Sequence, residues 1–189
     1  MINSACIMGH LEIIGYLTAI IIVVYIVWRN SDKEKAEKRE KENELIYSYK
    51  YPRLAMTVDA ILIAGTIDSK VILLIQRKFD PFKGLWALPG GFVGMDETLK
   101  NACKRELFEE TGLQNISLSQ FFTFDAVGRD PRHRTVTTVF YGSVPEPIPV
   151  VGGDDASRAD WFAMDELPEL AFDHGEIIQK FHIEKLQVL

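Results

Sequence analysis

The segment GFVGMDETLKNACKRELFEETGL, from Gly91 to Leu113, decides how the rest of the chain is read. From about Glu97 to Thr111 it carries helix signals: Leu99, Ala102, Cys103 and Leu107 share one apolar stripe, and Gly112 supplies the C-terminal stop. Glu106 and Glu110 stand four residues apart with Glu109 beside them, so three carboxylates project from one side of one helix. Only Lys104 and Arg105 offset their repulsion locally. A solvated acidic face is the ordinary reading of such a helix. The frame in which these carboxylates stand argues for chemistry instead.

Outward from this helix the pattern alternates between strand and helix. Short, apolar, β-branched runs predict strands at Met56 to Ala64 and Val71 to Gln76, joined as a hairpin through Gly65 and Asp68. Lys78 to Gly84 reads as loop, and Leu85 to Leu88 as an apolar segment ending at Pro89-Gly90-Gly91. Further strands are expected at Phe121 to Ala126, Thr135 to Val144 and Ala159 to Ala163, the last two separated by the Pro-rich loop PEPIPVVGGDD. A closing helix capped by Asp173 carries Ile177, Ile178, Phe181 and Leu186 near helical spacing. This order predicts an α/β sandwich with a mixed sheet.

The 189 residues allow one ordinary domain with sequence left over, and 47% hydrophobic with 25% charged residues excludes both wholesale disorder and a multi-span membrane protein. The first fifty residues hold seven acids and seven bases, so the net charge of -6 belongs to the part from Tyr51 onward. Such a surface repels phosphate backbones and excludes nonspecific nucleic-acid binding; an anionic substrate needs a metal or local arginines. Cys6 and Cys103 have no metal spacing and read as two reduced thiols. From Ile13 to Trp28 no charge interrupts IIGYLTAIIIVVYIVW, which reads as a membrane anchor, and the bases from Arg29 to Lys41 place the remainder of the chain in the cytoplasm. The expected organisation is an anchor over 1–30, a charged helical linker over 31–50 and a catalytic domain over 51–189.

The stretch from Gly91 to Leu113 resembles the signature of the Nudix hydrolases at every fixed position: Gly91, Glu97, Arg105, Glu106, Leu107, Glu109, Glu110, Gly112 and Leu113. The resemblance implies the Nudix α/β/α sandwich, with Glu106, Glu109 and Glu110 as catalytic metal carboxylates helped by the Gly90 carbonyl. It also implies that Glu97 and Arg105 form the ion pair shaping the loop. The chemistry is consistent. Hydrolysis of a diphosphate calls for a hard cation, and Mg²⁺, with Mn²⁺ as its substitute, takes carboxylate and carbonyl oxygens. Gly90 and Gly91 let the backbone approach closely.

Beyond that box, FDPFKGLWALPGGF, DAVGRDPRHRTVTTVFYG, GGDDASRADWF and AFDHGEII resemble the ADP-ribose pyrophosphatase branch, whose members cleave ADP-ribose to AMP and ribose 5-phosphate. Family members more often carry Gly where this chain has His133, between Arg132 and Arg134. Arg132, Arg134 and Arg77 are candidate diphosphate contacts, since forked guanidinium donors suit phosphate oxygens. Phe79, Phe82 and Trp86 are candidates to stack an adenine, against the alternative of core packing. Asp154, Asp155, Glu146 and Glu109 compete as general base, and Asp155 also stands as a substrate contact. The expected partner is a small nucleotide, and the family often forms homodimers. The alternatives are another substrate, such as NADH, an oxidised nucleoside triphosphate or a sugar nucleotide, or a module that binds a nucleotide without turning it over.

Overall fold

The computed structural model describes residues 49–66 and 69–186. The anchor and almost all of the linker expected from sequence lie outside them, as does Asp68 of the hairpin turn. Among the described residues no helix is long and apolar enough to cross a membrane. The residues from Arg53 onward form one unit.

The centre is β1 (Ala55–Thr66), whose run from Val58 to Ala64 is almost continuously apolar because both of its faces are covered. Val58, Ala60 and Leu62 face one layer, where they meet Ala102, Cys103 and Leu107 of helix α1 (Leu99–Thr111). Ile61 and Ile63 face the other, where they meet Ile177, Ile178 and Phe181 of α2 (His174–Phe181). One π-helical turn, His182–Leu186, continues α2.

β2 (Ser69–Arg77) pairs with the end of β1 as the expected antiparallel hairpin, Ile63 opposite Ile72 and Thr66 opposite Ser69. Beyond Ile72 the two strands diverge, and a wedge fills the gap: β3 (Trp86–Ala87) pairs with β2, and β4 (Gly90–Phe92) pairs with β1 through Thr57, Val58 and Asp59. β6 (Thr135–Val144) lies parallel to β1 along ten residue pairs, and β5 (Ser119–Phe124) is antiparallel to β6 at the edge. β7 (Ala156–Ala163) runs antiparallel to β2 on its other side. The sheet is mixed, with helices on both faces, as a Nudix sandwich requires.

β5 and β7 begin earlier than the expected Phe121 and Ala159, at Ser119 and Ala156, and both helix starts depart from expectation. α1 begins at Leu99 because Thr98 is extended and its hydroxyl accepts from the Asn101 N–H, which makes Thr98 the cap and leaves Glu97 in the preceding loop. The helix ends as predicted, with Gly112 left-handed at φ 76° and its N–H on the Phe108 carbonyl. Asp173 precedes α2 but makes no side-chain cap bond. Its carboxylate is taken by Arg129, at 2.6 and 2.8 Å.

Candidate active site

The wedge delivers Leu88-Pro89-Gly90-Gly91 to the mouth of the sheet beside α1. A β-carbon on Gly90 would stand 2.1 Å from the Val58 carbonyl oxygen, and one on Gly91 2.5 Å from Glu106 Oε1. Glycine is required at both positions for close approach rather than for a turn. The Glu106 carboxylate occupies the cradle that a side chain at 91 would fill.

Arg105 organises the acidic side of α1. Its guanidinium donates to both Glu97 oxygens at 2.6 and 3.1 Å, to Glu106 Oε1 at 2.7 Å, to Glu109 Oε2 at 2.9 Å and to the Phe92 carbonyl at 3.0 Å. Glu97 also accepts from the Gly94 N–H at 2.7 Å. Its carboxyl is held below the ordinary range, chiefly by the Arg105 hydrogen bonds. The implied Glu97–Arg105 pair is therefore present, and Arg105 fans the next two carboxylates as well. Glu110 points elsewhere: it is 4% exposed and its Oε2 accepts from the Gly90 N–H at 2.9 Å. Burial, with Glu106, Asp59 and Asp155 nearby, pushes its carboxyl up to about 8. Burial also raises Glu106.

Among the described residues no group of three His, Cys, Asp or Glu side chains forms a ready metal cluster. Arg105 holds Glu106 and Glu109 while Glu110 turns to the glycine strip. The donor set still suits a hard divalent cation. Its side-chain donors are all carboxylate oxygens, the Gly91 cradle gives Glu106 its place, and burial raises the carboxyls of both Glu106 and Glu110.

The cleft opening from this strip is lined by Gly90, Gly91 and Glu110 together with Arg77, Arg132, Asp155 and Phe172. The Arg77 guanidinium donates, among the described residues, to the backbone carbonyls of Pro81 and Phe79 at 2.8 and 3.4 Å, and lies 4.8 Å over the Phe172 ring. Burial and the neighbouring Arg132 lower its pKa. Arg132 is different, being bound through two donors to Asp130 at 2.7 and 3.0 Å. Asp155 arrives because its loop is tied to the end of α1, Val151 N–H to the Thr111 carbonyl and Gly153 N–H to the Glu110 carbonyl.

Other sequence candidates stand apart from the cleft wall. Arg134 is exposed and donates to the Ala126 and Thr135 carbonyls, which braces its loop. Trp86 packs with the α2-side core, edge-on to Phe162 at 4.5 Å, as the core alternative had it. Phe82 meets the rim through Phe172, 4.8 Å away edge to face. Phe79 is 54% exposed under Lys78, and His133 stacks on Phe92. Glu146 is exposed and does not line the cleft.

Sequence reading missed the buried polar floor. Asp59, 6% exposed, accepts from the Thr137 hydroxyl at 2.6 Å, and its other oxygen lies 3.6 Å from His174 Nε2. His174 is buried, its pKa is lowered by that burial, and its Nδ1 accepts from the Leu88 N–H at 2.9 Å. One signal was available: Asp59 is a lone acid in the middle of an apolar strand. Phe172, non-glycine at φ 53°, left none.

A family model described as NUDIX domain matches residues 53–181. The chain belongs to the Nudix family. Its Nudix domain is similar to an ADP-ribose pyrophosphatase of Methanocaldococcus jannaschii, 40% identical over 154 residues that cover 79% of this chain and 85% of that protein. It is also similar to the ADPR responsive transcriptional repressor NtrR of Acinetobacter baylyi, 33% identical over 134 residues, covering 69% of this chain and 54% of the repressor. Among solved structures it resembles a bifunctional NMN adenylyltransferase/ADP ribose pyrophosphatase from Francisella tularensis, complexed with AMP and a manganese ion. That likeness has a TM-score of 0.62 at 29% identity and covers 82% of this chain and 47% of the other.

The two glycines of the Nudix strip should respond differently to alanine. At Gly91 the new methyl meets only the movable end of Glu106, so Gly91→Ala should cut turnover about 100-fold while the melting temperature stays within a few degrees. At Gly90 it meets backbone, and the melting temperature itself should fall. Parallel thermal melts and initial rates separate the two.

Proposed function

We propose that this Nudix hydrolase cleaves ADP-ribose to AMP and ribose 5-phosphate with Mg²⁺. The observation that carries the reading is the cleft itself. It brings Glu110 of α1 and the glycine strip together with Arg77, a partly buried cation that forms no ion pair among the described residues although Glu110, Asp130 and Asp155 act on it electrostatically. Glu106, Glu109, Glu110 and the Gly90 carbonyl would hold the metal, and Mn²⁺ would serve in its place. When bound, such an ion supplies charge to neutralise phosphate oxygens and to activate water.

The chain's own groups do the rest. Arg105 and Glu97 keep the carboxylates fanned. Arg77 takes diphosphate oxygens through its forked donors, and Arg132 adds charge although Asp130 already holds it. Asp155 is the loop carboxylate that lines the cleft, and in this reading it accepts a proton from attacking water. Arg77→Ala should raise KM about 10- to 100-fold, the loss of one charged hydrogen-bonding group, and Arg77→Lys should recover little because the fork is gone.

The test is AMP release from ADP-ribose by the full-length chain with and without Mg²⁺, beside NADH, an oxidised nucleoside triphosphate and a sugar nucleotide. Similarity to an ADPR responsive repressor favours a second reading, in which ADP-ribose is bound and not cleaved. Saturable binding without AMP would select it. The apolar run at 13–28 completes the proposal with a tether that leaves the hydrolase in the cytoplasm. Full-length chain should stay with carbonate-washed membranes, whereas a chain lacking residues 1–30 should remain in the supernatant.

A further inference from the structure

The geometry points to His174 as a positioning residue for the glycine strip. It presents Nδ1 as the hydrogen-bond acceptor that holds the Leu88 N–H, and so sets where the Gly90 carbonyl stands. The strip is gripped at three points by three elements. His174 from α2 takes the Leu88 N–H at 2.9 Å, β1 donates the Ala60 N–H to the Pro89 carbonyl at 2.8 Å, and Glu110 from α1 takes the Gly90 N–H at 2.9 Å. Two of these grips are fixed by secondary structure or by the proposed metal site. The third depends on one imidazole.

Its tautomer follows from its partners. An Nδ1 that accepts leaves the proton of a neutral ring on Nε2, and that atom faces Asp59 Oδ1 at 3.6 Å. Asp59 is fixed in turn by the Thr137 hydroxyl, and its Oδ1 lies 2.7 Å from where a β-carbon of Gly90 would be, so Asp59 and His174 brace the strip from behind. An imidazole 5% exposed beneath the cleft has little room to bond substrate directly, so its effect reaches the reaction through Leu88 and Gly90. This inference rests on the proposed role of the Gly90 carbonyl toward a divalent ion.

The experiment compares His174→Asn, whose amide oxygen can stand near the Nδ1 position, with His174→Leu, which fills space without an acceptor. Mn²⁺ affinity read by electron paramagnetic resonance should weaken about tenfold in the leucine variant and recover to within about threefold in the asparagine variant. kcat should follow the same order with KM little changed. The unmodified full-length chain supplies a measurement that does not depend on either variant folding: the nitrogen-15 spectrum of His174 should show unprotonated Nδ1 and protonated Nε2. A protonated Nδ1, or a leucine variant that binds Mn²⁺ as the parent does, overturns the inference, and so does an asparagine variant no better than leucine. The ring spectrum and the metal affinity do not involve ADP-ribose. Failure to cleave that substrate would therefore remove the proposed function and leave this inference standing.

Discussion

Replacing Glu110 by Gln should abolish turnover, by at least about 100-fold, and at the same time make the metal-free protein more stable at pH 8. The first effect follows from taking a charged oxygen from the proposed metal site, since even outer partners of metal ligands cost about 10- to 100-fold. The second follows from burial. The folded-state value of about 8 lies above the ordinary 4.5, so the native protein holds this proton more tightly than the unfolded chain does. Stability from that difference is fully present below about pH 4.5 and is lost as pH rises through 8, by about 5 kcal/mol in all. Glu106 shifts in the same direction and adds to the loss. Glutamine has no proton to lose, and its amide oxygen can still accept from the Gly90 N–H. Denaturant titrations between pH 5 and 9 without metal should show the parent falling and the variant much flatter, with Mg²⁺ restoring only the parent. Equal slopes would refute the assignment of the shift to Glu110.

The second large effect belongs to Arg129 and Asp173, 4% and 12% exposed, which tie the loop after β5 to the start of α2 through two hydrogen bonds. Removing one member of a buried pair strands the other charge away from water, at about 3–5 kcal/mol. Arg129→Met should therefore lower the melting temperature by about 10 °C. The double variant Arg129→Met/Asp173→Asn should recover most of that, because no charge is left unpaired. Additive losses in the double variant would show that the pair stabilises by packing alone.

Much of the architecture is legible in the sequence because it rests on local chemistry. Gly112 stops α1 through its own backbone preference, and the apolar, β-branched run of β1 marks a strand. The acidic turn is legible for the same reason, since a four-residue spacing on a helix fixes a shared face. The floor of the cleft is not, because it is made by long-range contacts. Asp59 meets Thr137 across 78 residues and Leu88 meets His174 across 86, and no local pattern encodes either meeting. Asp173 shows the limit most directly. Its residue type predicts a helix cap, yet an arginine 44 positions earlier claims its carboxylate. Trp86 and Arg134 likewise share the composition of a binding loop, and only the fold turns one inward and the other to its own backbone.

The wedge between β1 and β2 carries a consequence for heat inactivation. β3 precedes the glycine strip and β4 contains its two glycines, and both are hydrogen-bonded into the central sheet, so the reactive backbone is a seam of the scaffold rather than a hinged flap. Heating should extinguish catalysis and cooperative structure together.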